Sequence, residues 1–451
     1  MTMTTAIQIG VLVFMTLLPI VLSVIHYVVE RQQQTKKISH AVRNKERCGG
    51  ERGMAVNDIG KALTTAEGAA MIAGTGIGSG VMAIPYLVKS AGAVGGLLAF
   101  VAAFALSVFM HCLAADMVIN SGEHEITRIF SRLMPQGKWR RPLELLFFVL
   151  AAFMLTANLS AYILGGAEVL CSLLPIPTAA GKLLFFAVAA LPVMLGLRAI
   201  GMGEKWLVAA IGVLLTVMTA LTLTKAEGTL PLRGSLRATL GVFSMLMFSL
   251  TALFAVPELA RGMHNDARRM KSAIFGGLSA NLMVCLLICV SAIAASEEVT
   301  KMATVGLHDA LGPVVGVCAG LFVLLAMLTS FFVLAFSLTS IVSAPYFLSL
   351  AAASNVASPV RITKSFVSAA HIEASFPALL AAFIPSASFA NMAKVAGGII
   401  SLLIFMLLIP AYRRSVQLTG CSAVTGCWGQ NRMLLACVII GSLLMMIGAL
   451  C

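Results

Sequence analysis

Four glycines at alternate positions of an apolar stretch are the residues of this chain best suited to bind a ligand. They are Gly74, Gly76, Gly78 and Gly80, and each costs about 1 kcal/mol in a helix interior relative to alanine. They fall on two nearly opposite helix faces, whereas packing against one neighbouring helix needs glycine on one face only. Pro85 follows and removes another backbone donor. The pattern favours a locally opened helix over the alternative of tight packing without a ligand.

An opened turn inside a membrane has a specific chemistry. Non-helical backbone at mid-membrane is tolerated only where it lies beside a cavity. Its N–H groups can bind an anion such as a carboxylate and its carbonyl oxygens can coordinate a cation, and the dipoles of the two half-helices reinforce both interactions. Secondary transporters bind substrate and coupling ion in this way. The segment therefore predicts a binding site of that kind.

Two other apolar runs carry grouped polar side chains. Thr329 and Ser330 are adjacent, and their hydroxyls either bond back to the preceding helical turn or coordinate a hard cation such as sodium. Asn158, Ser160 and Tyr162 lie close together in another run. Helix-to-helix hydrogen bonds explain these side chains, and so does an orientation towards a cavity.

Ionisable side chains are sparse within the apolar runs, where they are costly. Glu67 and Glu168 lie near the ends of runs, where a solvated interfacial group or a proton carrier is expected. Glu258 precedes Arg261 by three residues, a spacing that predicts an ion pair or a gate on one side of the membrane. His111 lies inside a run, and a functional role is the less favoured interpretation for it.

The composition indicates that lipid is the solvent of this chain. Of its 451 residues 59% are hydrophobic and 11% are charged, whereas soluble domains carry roughly 25% charged residues. The apolar runs are continuous rather than alternating, which predicts helices and not a barrel. The net charge is +13, and the basic residues lie mainly in short loops between the apolar runs. Basic residues in such loops set the orientation of membrane proteins, so no nucleic-acid partner is expected. The ten scattered cysteines form no metal or redox motif.

The predicted fold class is an all-α polytopic membrane protein with about twelve transmembrane helices. Most of the Lys and Arg residues follow the odd-numbered runs, which places those loops in the cytoplasm and both termini outside. The first run lacks a basic start and a cleavage site, so it is interpreted as a span and not a signal peptide. The predicted spans are 7–29, 64–88, 93–119, 142–170, 182–199, 205–224, 236–260, 272–295, 312–348, 366–386, 388–411 and 432–450.

The polar stretch after the first run suggests how the chain is organised. It contains three consecutive glutamines and mixed charges, which are typical of a flexible linker. We expect an extra N-terminal transmembrane helix (1–29), a basic cytoplasmic linker (30–60), a transporter core (61–411), and a cytoplasmic loop with a C-terminal helix (412–451).

Residues 74–85 read GTGIGSGVMAIP and match every fixed position of Gly-Thr-x-Ile-Gly-x-Gly-x-x-Ala-x-Pro. This pattern is typical of the first core helix of the tryptophan/tyrosine permeases, and the segment resembles it. These are a family of hydroxy- and aromatic-amino-acid permeases in the amino acid–polyamine–cation superfamily with the LeuT-type fold. Residues 160–170, 196–206 and 375–410 resemble later parts of that family in the same order. The resemblance covers about 64–411.

The resemblance implies a 5+5 inverted repeat with broken first and sixth core helices, and amino-acid uptake driven by an ion gradient. The substrate carboxylate is expected at the backbone N–H groups near Gly78, Ser79 and Gly80. The residues expected at the substrate are Thr75, Gly76, Gly78, Ser79, Gly80, Asn158, Tyr162, Phe248, Ser249 and Thr251. Those expected at a sodium ion are the carbonyls of Gly74 and Ile77 and the hydroxyls of Thr329 and Ser330.

One segment departs from the family pattern. The sixth core helix of the family usually has Phe-Gly-Phe-His at its break, whereas residues 248–252 here read FSLTA. The hydroxyls of Ser249 and Thr251 are expected to stabilise an opened turn in place of the glycine. Phe248 and Phe254 are expected as pocket walls. The expected substrate is a neutral amino acid, and the altered break leaves open whether it is an aromatic one.

The coupling ion also stays open between Na⁺ and H⁺, and no other cofactor is expected. In some members of the family that the chain resembles, a lysine from the fifth core helix replaces the sodium. Lys205 lies only at the cytoplasmic end of that helix, so this replacement is not expected here. A membrane-embedded enzyme would need a paired nucleophile and base or spaced metal ligands, and neither motif occurs.

The alternatives to a carrier are a channel, although no charge ring is evident, and a substrate sensor with a transporter fold. The expected partners are an amino acid and the lipid bilayer of the cell's inner (cytoplasmic) membrane, which the chain crosses several times. The oligomeric state is left open.

Overall fold

The computed structural model describes most of the chain after the predicted linker. The extra helix predicted over 7–29 and the linker over 30–60 lie outside the described residues. The described residues are 62–77, 79–134, 137–195, 197–223, 228–295, 299, 312–342, 374–385, 387, 389, 392, 396–397, 401–420, 422–426 and 431–450.

The regular elements in this part of the chain are helices, as the uninterrupted apolar runs predict. The labelled helices are α1 (Thr65–Gly76), a 3₁₀ turn (Ser79–Met82), α2 (Ile84–Ser121), α3 (Ile126–Leu133), α4 (Arg140–Leu173), α5 (Thr178–Leu195), α6 (Leu197–Leu223), α7 (Leu236–Ser249), α8 (Ala255–Gly262), α9 (Ala267–Ala295), α10 (Pro313–Val342), α11 (Ser401–Thr419) and α12 (Arg432–Leu450). Residues 374–382 are helical as well. Within the described residues, six helices are long and apolar enough to cross a membrane, namely α2, α4, α5, α6, α9 and α10.

The first break falls within the glycine-rich segment. α1 begins with a capping box, in which Thr64 Oγ1 accepts from the N–H of Glu67 at 3.2 Å and Glu67 Oε2 accepts from the N–H of Thr64 at 2.8 Å. Glu67 is therefore a partly exposed helix cap. The helix ends at Gly76, and the chain resumes as the 3₁₀ turn before α2. The predicted opening of this helix is confirmed.

The two spans predicted over 64–88 and 93–119 are joined by a kink and not by a loop. Gly92 inside α2 has φ +74°, a left-handed conformation that glycine adopts without steric cost. A Cβ at this position would lie 2.7 Å from the carbonyl carbon of Arg233. Gly92 therefore turns the helix and also lets the segment before α7 approach its backbone.

The second break interrupts the span predicted over 236–260. α7 ends at Ser249 and α8 begins at Ala255, so the helix opens although the family's Phe-Gly-Phe-His is missing. Thr251 Oγ1 donates to the carbonyl of Met247 at 2.5 Å, which is the stabilisation predicted for this hydroxyl. Ser249 does not play that part, because its hydroxyl has no hydrogen-bond partner in the described structure.

The two broken helices lie side by side in the core. α1 packs against α6, α8, α9 and α10, and α7 packs against α2 and α12. The N–H of Leu63, just before α1, donates to the carbonyl of Gly262 at the end of α8 at 2.9 Å.

α11 runs through Pro410 to Thr419, beyond the predicted limit of 411. Pro410 removes one backbone hydrogen bond without ending the helix, so the following loop is shorter than predicted.

Candidate functional site

A cavity lies between the two breaks. The empty space there measures about 450 Å³, a volume that includes space open to solvent. Four helices and the loop between α7 and α8 contribute to its wall. The lining residues are Thr75, Gly76, Met154, Asn158, Tyr162, Phe248, Thr251, Ala252, Leu253, Phe254 and Leu334.

Six of the ten residues predicted at the substrate line this cavity: Thr75, Gly76, Asn158, Tyr162, Phe248 and Thr251. Gly80 and Ser249 instead face each other, since a Cβ on Gly80 would lie 2.7 Å from Ser249 Oγ. They form a contact between the breaks and not part of the lining. Gly78 and the side chain of Ser79 lie outside the described residues.

The helix ends around the cavity present opposite partial charges. The C-terminal end of α1 contributes Thr75 and Gly76 to the wall and carries the negative end of its dipole. The N-terminal end of α8 contributes Leu253 and Phe254, whose backbone N–H groups make no hydrogen bond within the described part of the chain. One side of the cavity therefore suits a cation and the other an anion.

Asn281 of α9 connects the two breaks. Its Nδ2 donates to the carbonyl of Ser249 at 2.6 Å. A Cβ on Gly76 would lie 2.3 Å from that nitrogen and 2.6 Å from the same carbonyl oxygen. The lack of a side chain at Gly76 thus allows both broken helices to meet at one amide. Asn281 is not identified in the sequence analysis. The one feature that could have indicated it is a single amide side chain within an otherwise apolar run.

His111 of α2 holds the second break open. Its Nε2 accepts from the N–H of Ala252 at 2.9 Å, so the proton sits on Nδ1, which lies 2.7 Å from the carbonyl oxygen of Ser107. Ser107 Oγ in turn donates to the carbonyl of Leu250 at 2.9 Å. These bonds satisfy backbone groups that the broken helix leaves unpaired. The structure thus gives His111 a positioning role at the cavity wall.

We expect His111→Ala to weaken substrate binding about tenfold, because it leaves the buried N–H of Ala252 without an acceptor, a loss of about 1–3 kcal/mol. His111→Gln should recover most of the affinity, since its amide oxygen can accept the same bond. Titration of purified protein with substrate measures the effect, with His124→Ala in the loop before α3 as the control. Equal losses in the Ala and Gln variants would contradict this role.

The four groups predicted to coordinate sodium come together at the end of α1. Ser330 Oγ lies 2.9 Å from the carbonyl oxygen of Gly74 and 3.2 Å from that of Ile77. Thr329 Oγ1 lies 3.2 Å from the carbonyl oxygen of Gly74 and also bonds back to Ala326 at 2.9 Å. All are hard oxygen donors, which suit an alkali or alkaline-earth cation. The residues present therefore fit a small hard cation.

The remaining polar residues divide between packing and the cavity. Ser160 bonds back to Thr156 at 2.8 Å and across to the carbonyl of Ala378 at 3.0 Å, so for Ser160 the helix-to-helix interpretation holds. Tyr162 both lines the cavity and lies next to the side chain of Ser330. It therefore links the cavity to the cation-binding oxygens.

The predicted pair of Glu258 and Arg261 is confirmed, with 3.2 Å between Oε2 and Nη1. Ser340 Oγ also donates to Glu258 Oε1 at 3.0 Å, which ties α8 to α10. Glu168 is exposed near the end of α4, which agrees with the interpretation of this side chain as a solvated interfacial group. Glu204 is missed by the sequence prediction, which begins the fifth core helix at 205. α6 begins at Leu197, so Glu204 lies two turns inside it.

Two broken helices beside a central cavity are the arrangement of multi-pass membrane transporters with the LeuT-type fold. The sequence profile of the tryptophan/tyrosine permease family matches residues 61–448. The chain belongs to this family, and it is a secondary transporter and not an enzyme. A search of curated proteins finds no match.

Solved structures of transporters share the fold at low sequence identity. Mhp1, a nucleobase-cation-symport-1 family transporter with bromovinylhydantoin bound, is 14% identical with a TM-score of 0.57, over 88% of this chain and 95% of its own. MhsT in complex with L-phenylalanine is 16% identical with a TM-score of 0.59, over 87% and 99%. A manganese transporter of Eremococcus coleocola is 14% identical with a TM-score of 0.56, over 89% and 88%.

Proposed function

We propose that the protein takes up neutral amino acids across the inner membrane of the cell by symport with a monovalent cation. The observation that carries this proposal is the cavity between two helix breaks, with carbonyl groups on one side and unpaired N–H groups on the other. An amino acid zwitterion carries an ammonium group and a carboxylate on its α-carbon, and these two charges match the two sides of the cavity. Its ammonium group suits the carbonyl end of α1, and its carboxylate suits backbone N–H groups at the breaks.

The walls of the cavity favour a substrate with an uncharged side chain. The lining residues include Met154, Phe248, Phe254 and Leu334, and none of the lining side chains in the described part of the chain is charged. A charged substrate side chain would lose its hydration there without gaining a partner. Apolar amino acids, aromatic ones among them, fit this surface, and the phenylalanine-bound MhsT has the same fold.

The position of the cation-binding oxygens supports coupling between ion and substrate. Gly74 provides a carbonyl to that group of oxygens, and the next two residues of α1, Thr75 and Gly76, line the cavity. An ion at Gly74 would fix the turn of α1 that the substrate contacts. Each ligand then favours binding of the other, which is the thermodynamic requirement for coupling. Rocking of one helix bundle around this site would move both across the membrane.

A thermal-shift screen of the twenty amino acids, with and without sodium, tests the substrate class. We expect neutral apolar amino acids to raise the unfolding temperature, because a ligand that binds only the native state stabilises it, and sodium should enlarge the shift. Acidic and basic amino acids serve as matched controls of similar size. Stabilisation by these alone would contradict the proposal.

A further inference from the structure

Glu204 is a buried carboxylate with no partner in the described structure. It lies in α6 and its exposed fraction is 0%. Neither Oε1 nor Oε2 makes a hydrogen bond with any described residue. The adjacent Lys205 does not pair with it, since its Nζ lies over the exposed Trp206 ring, 6.0 Å from the centroid. Buried carboxylates are normally paired or coordinate a cation, so this side chain requires an explanation.

The carboxylate lies against the turn of α1 that provides the cation-binding oxygens. A Cβ on Gly74 would be 1.9 Å from Glu204 Oε2 and 3.0 Å from the Cβ of Thr329. Glu204 thus fills the space where Gly74 has no side chain, beside the residue whose carbonyl accepts from Thr329 and Ser330. Its carboxyl group is therefore adjacent to Gly74, one of the four residues that provide these neutral oxygens.

This arrangement has a definite charge balance. Two carbonyls and two hydroxyls carry no net charge, so Glu204 gives the group a charge of −1 when it is ionised. One monovalent cation neutralises it. A divalent cation would leave a net positive charge in a low-dielectric interior, where an uncompensated charge is costly.

We propose that Glu204 completes the cation site, supplies its countercharge and selects a monovalent cation such as sodium over divalent ones. This inference rests on the proposed cation symport. It assigns to Glu204 a direct electrostatic contribution to cation affinity that the neutral oxygens alone do not provide.

The test uses the full chain purified in detergent, with the unfolding temperature measured against NaCl concentration and choline chloride holding ionic strength constant. We expect Glu204→Gln to raise the half-saturating sodium concentration at least tenfold, because the amide keeps the volume and removes the charge. Glu204→Asp keeps the charge and should fall between the wild type and the Gln variant. Glu258→Gln is the matched control, a buried carboxylate (2% exposed) paired with Arg261, and should keep the wild-type sodium dependence.

The outcomes separate this inference from the proposed function. If Glu204→Gln keeps the wild-type sodium affinity, or Glu204→Asp binds no better than Glu204→Gln, the role of Glu204 is overturned while symport stands. If the wild type responds to neutral amino acids but not to sodium, both the sodium coupling and the role of Glu204 fail. Stronger stabilisation by MnCl₂ than by NaCl at equal concentration would overturn the selection of a monovalent ion.

Discussion

A Gly76→Ala variant should insert in the membrane and lose about a hundredfold in substrate affinity, or about 2.8 kcal/mol at 1.4 kcal/mol per tenfold. The added methyl group would lie 2.3 Å from Asn281 Nδ2 and 2.6 Å from the carbonyl oxygen of Ser249. The side-chain amide can move, but the backbone carbonyl belongs to the second break and moves only with it. The two breaks would separate, and the cavity between them would lose its shape.

The control for this variant is Gly212→Ala in α6, where a Cβ meets nothing within 4 Å. It should bind and transport as the wild type does, because it adds the same methyl group to another helix without a clash. Substrate titration of both purified variants measures the difference. Wild-type affinity in Gly76→Ala would show that close contact between the breaks is not required.

Ser330→Ala should raise the sodium concentration for half-maximal uptake about thirtyfold, equivalent to about 2 kcal/mol. Its hydroxyl is the only described group that reaches the carbonyls of Gly74, Thr75 and Ile77 together, at 2.9, 3.3 and 3.2 Å. Removing this hydroxyl leaves the cation with one oxygen ligand fewer. It also removes the hydrogen bonds that hold the opened turn of α1. The maximal rate at saturating sodium should change much less, because the substrate cavity stays intact.

Thr339→Val is the matched control on the same helix. Thr339 Oγ1 bonds back to the carbonyl of Ala335 at 2.9 Å and lies more than two turns beyond Ser330, so its loss should leave the sodium dependence unchanged. Uptake into proteoliposomes over a range of sodium concentrations measures both variants. An unchanged half-maximal concentration in Ser330→Ala would remove this hydroxyl from the ion site.

The parts of the site that depend on local sequence could be predicted. Glycines on two faces of one helix predict an opening because the backbone cost is local, and α1 ends within that segment. The second break was expected from the family resemblance, yet residues 248–252 do not explain it alone. It is held by His111 and Asn281, which reach it from α2 and α9. Such contacts depend on packing between distant segments, which a single sequence does not reveal.

Glu204 illustrates a second limit of sequence reasoning. Three glycines and two basic residues surround it between 196 and 205, a composition that indicates a loop. The helix nevertheless begins at Leu197, because the small residues allow close packing. A Cβ on Gly201 would lie 2.8 Å from a methyl carbon of Leu63. Tertiary packing thus carries the carboxylate into the protein interior.

The most direct test of the central claim is uptake of a radiolabelled neutral amino acid by proteoliposomes, with an imposed sodium gradient and with equal sodium on both sides. The account predicts accumulation above the equilibrium level with the gradient, collapse of that accumulation when the gradient is dissipated, and none in the Gly76→Ala variant. Binding without any flux would indicate a substrate sensor. Flux that only equilibrates the amino acid, with or without the gradient, would indicate a channel, and either result would contradict coupled transport.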